Sequence, residues 1–106
     1  MTALLTGVGV TAYGRQPGPD SVDWQVQAAE LALADAGIEP GEVDAVLTGY
    51  STVAGHLMPA NLFSERFGIR PAIAFGLSVG GATGLAMLAE ATRLVESAAA
   101  RHVLVA

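Results

Sequence analysis

"AAELALADAGIEPGEVDAVLTGY" (residues 28–50) carries the end of one helix, a tight turn and a complete strand. The helix is predicted over about 21–36. Val22, Val26, Ala29 and Leu33 fall on one face of it, while Gln25, Glu30 and Asp35 lie elsewhere. Asp20 or Ser21 can cap its start, Asp23 places an acid in the first turn, and Gly37 stands just past its end. Pro40 and Gly41 then turn the chain, and "VDAVLTGY" (43–50) reads as a buried strand.

The same alternation extends in both directions. Residues 3–10, "ALLTGVGV", read as an earlier strand that leaves into the breaker-rich "GRQPGPD" (14–20). Residues 51–58 form a loop. Pro59 suits the first turn of a short helix that ends at Phe67 and is stopped by Gly68. A third strand covers 71–75, an apolar helix 81–97, and a fourth strand 102–106, "HVLVA". The order βαβαβαβ predicts an α/β fold with a mostly parallel sheet and helical crossovers. No repeat or low-complexity segment interrupts it.

Composition narrows the function classes. The chain has 106 residues, of which 52% are hydrophobic and 14% charged, well below the roughly 25% charged of an ordinary soluble domain. So small a chain needs more charged surface than this if it stands alone. Net charge is −5, with scattered Arg and no Lys, which argues against a nucleic-acid partner. Zero Cys leaves no disulfide, thiolate metal site or thiol nucleophile, and His56 and His102 fit no metal spacing. The first residues lack the basic region of a signal peptide, so the expected location is the cytoplasm.

The helix 81–97 is small or apolar around most of its first three turns, with Glu90 and Arg93 its earliest charges. A helix apolar on all sides is expected to be buried on all sides. Nothing else in 106 residues would cover its outer face, and the chain stops at Ala106 within an apolar strand. Both features predict a part of something larger, either a fragment or a subunit completed by a partner. The uncharged stretch 71–89, with Gly76, Gly80 and Gly84 four apart, also has a membrane reading. Pro71 and the central Ser/Gly cluster favour a buried strand, turn and helix instead.

Several motifs have competing readings. "GVGVTA" (7–12) matches the dinucleotide pattern G-x-G-x-x-A, but no helix opens there and no acid ends a second strand about 20 residues on. Gly7 and Gly9 are better explained by close packing. His56 follows the carboxyl end of a strand, where open parallel sheets bind ligands; it is either a substrate contact or base, or a plain loop histidine. Tyr50, Ser51 and Thr52 share that location. Trp24 and His102 read as structural, and Arg66 and Arg70 as solvated surface rather than phosphate ligands.

"GLSVGGATGLAMLAEA" (76–91) is the most function-like turn, with Gly80, Gly81 and Gly84 in close succession. Its amides open a helix, where unpaired N–H groups and the helix dipole favour negative charge. That suits an oxyanion site. The alternative is that the glycines only allow strand and helix to pack closely. Ser78 and Thr83 are the only hydroxyls present.

Taken together, "TGVG", "AAELALADAGIEPGEVDAVLTG", the glycine-rich turn and "RHVLVA" resemble the first half of the thiolase superfamily, specifically its lipid-transfer-protein and acetyl-CoA acetyltransferase-like branch. The resemblance implies that residues 1–106 form the N-terminal half of a thiolase-like layered core, with a mostly parallel sheet and a buried helix 81–97. The family's nucleophilic Cys would fall on Gly81, a position also reached by counting back from Ala98, where the family usually has Gly. The resemblance therefore implies a site without its nucleophile. The Gly81 amide would remain as an oxyanion donor, with Gly80, Ala82 and, more remotely, His56 as substrate contacts. It further implies action on acyl-CoA thioesters as substrates, with no cofactor held by this segment. Cysteine-independent retro-aldol cleavage is the expected chemistry. A homodimer or higher oligomer and a small OB-fold partner protein are the expected partners. Two other readings stay open: a non-catalytic acyl-CoA or lipid-binding protein of this fold, and a small structural subunit completed by another chain.

Overall fold

A computed structural model describes residues 2–106. The three expected helices are present as α1 (Ser21–Ala36), α2 (Pro59–Phe67) and α3 (Thr83–Glu96), with strands β1 (Ala45–Thr48), β2 (Ile73–Gly76) and β3 (Val103–Val105). The strands form one parallel sheet in the order β2-β1-β3. Ala45 lies opposite Ile73 on one side and Val103 on the other. Val46, Ala74 and Leu104 face α1 and α2, whose Val22, Ala29, Leu33, Ala60 and Phe63 complete the main core. Strand alternation sends Ala45 and Leu47 to the opposite face, against α3. The result is a three-layer α/β/α arrangement.

Local chemistry sets the helix ends. The Asp20 carboxylate accepts from the Asp23 amide while Asp23 accepts from that of Asp20, a reciprocal capping box at the start of α1. Gly37 closes the helix at φ 70°, and Gly68 closes α2 at φ 81°, both in the left-handed region that glycine enters without a Cβ penalty. Arg66 reaches back from α2 to Asp20 and Asp23 at 2.7 and 3.1 Å, so it is an ion-pair partner rather than a free surface cation. Its guanidinium holds the Asp20 carboxyl below the usual carboxylate range. That contribution is present above the unfolded pKa and lost as pH falls through the lower folded one, and its solvent exposure keeps it small.

The first predicted strand does not form. Residues 2–20 have no regular secondary structure, so the order begins with a helix rather than a strand. Residues 7–9 lie against α1, where a Cβ on Gly7 would overlap the Ala32 carbonyl oxygen and one on Gly9 that of Ala28. The Val8 amide donates to Asp35 at 2.9 Å. The close packing expected of these glycines is therefore real, but its partner is a helix. An isolated extended segment needs an adjacent strand edge for pairing, and this one meets a helix face instead.

Ala98 ends the α3 region with φ 61°, the only positive φ at a residue other than glycine among the described residues. A left-handed L-residue costs roughly 1–2 kcal/mol, and glycine's extra unfolded entropy returns about half of that relief. Ala98→Gly is expected to raise stability by about 0.5–1 kcal/mol, read as a higher urea midpoint at unchanged slope. An unchanged or lower midpoint would show that the turn carries no strain.

Candidate functional site

β1 leads to α2 on one face of the sheet, whereas β2 leads to α3 on the other. Adjacent strands whose connections part to opposite faces leave a crevice at their carboxyl ends, the usual ligand position in open parallel sheets. Two segments start there: the loop after Thr48 and the turn before α3.

The turn is a short 3-10 helix, Gly80–Ala82, that runs directly into α3. Gly80 adopts φ 66°, so its glycine is required by the backbone. Gly81 differs. Its φ is ordinary, and a Cβ there would meet nothing within 4 Å. Neither strain nor packing within this chain accounts for the missing side chain. The Ala82 amide closes the first 3-10 turn, whereas those of Gly80 and Gly81 have no hydrogen-bond partner among the described residues. They open a 14-residue helix whose first turn holds no acid, leaving the positive end of its dipole uncompensated by a side chain.

Thr83 ties this turn together, a role the sequence reading did not assign. Its hydroxyl donates to the Gly80 carbonyl at 2.6 Å and accepts from the Val79 amide at 3.1 Å. The signal was present as a lone hydroxyl three residues after a glycine, the spacing at which Ser and Thr bond neighbouring backbone. Thr48, at the end of β1, is the other unforeseen polar group: its hydroxyl is fully buried and has no hydrogen-bond partner.

His56 lies on the exposed loop after β1 and lines an open cleft of about 400 Å³ with Ser21, Gln25, Tyr50, Ser51 and Thr52. The lining of that cleft does not include Gly80, Gly81 or Ala82, so His56 and the turn do not share a cavity in this chain. Ser51 spends its hydroxyl locally, accepting from the Val53 and Ala54 amides at 3.2 and 3.1 Å. The main chain of His102 joins β3 to the start of β1: its amide donates to the Asp44 carboxylate, and its carbonyl accepts from the amides of Asp44 and Ala45. Among the described residues no group of His, Cys, Asp and Glu is placed to hold a metal ion, and no helix is long and apolar enough to cross a membrane.

The outer face of α3 is open within this chain. Only Thr83 and Met87 of the helix are buried, while Leu85 is 77% exposed and Leu88 42%. The helix is thus uncovered on the side where its composition calls for a neighbour.

Comparison with solved structures settles the architecture. The chain superposes on the priming β-ketosynthase of the R1128 polyketide pathway with a TM-score of 0.73 at 29% identity, covering 85% of this chain and 27% of that one. It matches the tetronic acid condensing enzyme AbyA1 with a TM-score of 0.72 at 35% identity, covering 79% and 27%. OleA from Xanthomonas campestris, solved with lauric acid and lauroyl-CoA, gives a TM-score of 0.72 at 22% identity, over 79% and 26%. The fold is thiolase-like. Within it the chain supplies a small α/β unit of three parallel strands and their helices. Two curated proteins are similar in sequence. β-Ketoacyl-[acyl-carrier-protein] synthase III of Nitratidesulfovibrio vulgaris is 39% identical over 75 residues, 68% of this chain and 22% of that protein. A steroid side-chain-cleaving aldolase of Thermomonospora curvata is 35% identical over 46 residues, 43% of this chain and 12% of that protein. The chain thus spans about a quarter or less of the length of the proteins it matches. No protein-family model matches it.

Proposed function

We propose that this chain is the N-terminal part of a thiolase-like protein that cleaves carbon–carbon bonds of acyl-CoA thioesters by a cysteine-independent retro-aldol reaction. The observation that carries the proposal is Gly81: an unclaimed space where the family resemblance puts a nucleophilic Cys, beside the unpartnered amides of Gly80 and Gly81. Similarity to the steroid side-chain-cleaving aldolase supports this reading over condensation, although the synthase is similar over a longer stretch.

The chemistry suits the groups present. In a β-hydroxyacyl thioester, the Cβ hydroxyl gives up its proton to a base and its oxygen becomes a carbonyl. The Cα–Cβ bond breaks, and its electron pair moves into the thioester as an enolate, which then takes a proton at Cα. Negative charge develops on the thioester oxygen and nowhere needs a covalent acyl-enzyme. Amides of Gly80 and Gly81 at the start of α3 would stabilise that oxygen. The base and acid come from outside this segment, and His56 is a substrate contact at most. No cofactor is required by the step. The uncovered face of α3 would be buried by further thiolase-like structure, in a homodimer or higher oligomer, with a small OB-fold protein as an additional partner. The proposed site is intracellular and cytoplasmic.

The test is to incubate the protein, as its host produces it, with a tertiary β-hydroxyacyl-CoA. The expected products are a ketone and the shortened acyl-CoA in equal amounts. Saturable binding without either product would favour the second reading, a non-catalytic acyl-CoA binding protein, which the missing nucleophile suits equally well. A third reading, a small structural subunit completed by another chain, requires neither binding nor turnover.

A further inference from the structure

We infer that Thr83 is a positioning residue that locks the Gly80–Gly81 peptide, and so sets the direction of the Gly81 N–H. The inference rests on the reading of the turn as an oxyanion site. The Gly80 carbonyl and the Gly81 amide are opposite ends of one planar peptide unit. Whatever holds the carbonyl therefore aims the amide. A peptide between two glycines has no Cβ on either side to oppose rotation, so it is among the easiest in the chain to flip. Gly80 already occupies the left-handed region at φ 66°.

Two donors fix that carbonyl, and both belong to Thr83. The backbone amide of Thr83 bonds it as the cap of the 3-10 turn, and the hydroxyl bonds it at 2.6 Å. The hydroxyl oxygen simultaneously takes the Val79 amide at 3.1 Å, which anchors the Ser78–Val79 peptide two units earlier. Thr83 itself cannot drift, because it is 8% exposed and its methyl group lies against Gly49 at the end of β1, 3.6 Å from where a Cβ on that glycine would stand. The turn is thus keyed to the central strand through one side chain. Its internal acceptor is consumed, and the amides of Gly80 and Gly81 are left unpartnered. Without the hydroxyl, Val79 loses its acceptor and the Gly80–Gly81 peptide keeps a single tether.

A structural role alone would change stability. The positioning role also changes how strongly a bound carbonyl is polarised, and that quantity is directly measurable. The experiment is difference infrared spectroscopy of octanoyl-CoA, carbon-13 labelled at the thioester carbonyl, bound to the whole protein and to its Thr83→Val and Thr83→Ser variants. The wild-type protein is expected to lower the carbonyl frequency relative to free thioester. Thr83→Ser keeps the hydroxyl and should keep the shift. Thr83→Val keeps the shape and should lose most of the shift, with affinity reduced about tenfold, the loss of one good hydrogen bond. A Thr83→Val complex with the wild-type frequency would overturn the role of Thr83 while leaving the oxyanion reading intact. Absence of binding or of any shift in the wild-type protein would overturn the oxyanion reading and this inference together. If Thr83→Val fails to fold, loss of the shift in a folded Thr83→Ser overturns the inference unaided.

Discussion

Gly81→Cys is expected to convert an inert turn into one bearing a single fast-reacting thiol. Residues 1–106 contain no Cys, so the variant's residue 81 is their single thiol, and peptide mapping assigns an adduct to it. The new side chain enters open space on an ordinary backbone, and folding should be unaffected to within a few tenths of a kcal/mol. At the N-terminal end of α3, the helix dipole and the unpartnered amides favour thiolate over thiol. A fall of about one unit from an ordinary pKa of about 8.5 raises the thiolate fraction at pH 7 about eightfold. Alkylation by iodoacetamide should therefore run up to about eightfold faster than that of free cysteine, and octanoyl-CoA should leave an octanoyl group on the protein. Alkylation at the rate of free cysteine would mean that the turn does not stabilise negative charge. The oxyanion reading would then lose its electrostatic basis.

Phe63→Ala is expected to have the largest effect on stability. Phe63 is fully buried where α2 meets the sheet, and its ring lies 5.4 Å from that of Phe67. Truncating such a ring costs about 3–5 kcal/mol, a large part of the roughly 5–15 kcal/mol that holds a domain of this size together. Because α2 also carries the end of the loop that bears His56, the cleft should lose its shape along with the core. Leu85→Ala serves as the contrast. Leu85 has the same apolar character but is mostly exposed, and should cost under about 0.5 kcal/mol in this chain. Chemical denaturation of both variants checks the pair. Equal losses would mean that the outer face of α3 is already covered.

The helices and the three sheet strands were legible because their ends are written in local chemistry. Asp20 with Asp23, Gly37, Pro59 and Gly68 each fix a boundary through groups a few residues apart. The strand expected at 3–10 failed for the opposite reason. Its apolar run is genuine, but pairing depends on which strand edge lies beside it, and that is a long-range fact. The glycines in that run signalled close approach without saying to what, and α1 proved to be the partner. At the turn, the glycines before an apolar helix drew attention to Gly80 and Gly81, and Ala82 entered through the family resemblance. It was silent about Thr83 because a hydroxyl's partners depend on the turn geometry. His56 was placed at the right end of the sheet, yet strand-end position alone does not decide which cavity a loop residue joins.

The most direct test of the central claim is the intact mass of the natively produced protein, sampled while it turns over a β-hydroxyacyl-CoA. The account predicts that ketone and shortened acyl-CoA accumulate while the protein mass stays unchanged at every time point. A population heavier by one acyl group, appearing and decaying at the rate of product formation, would contradict it, because the reaction would then pass through a covalent nucleophile.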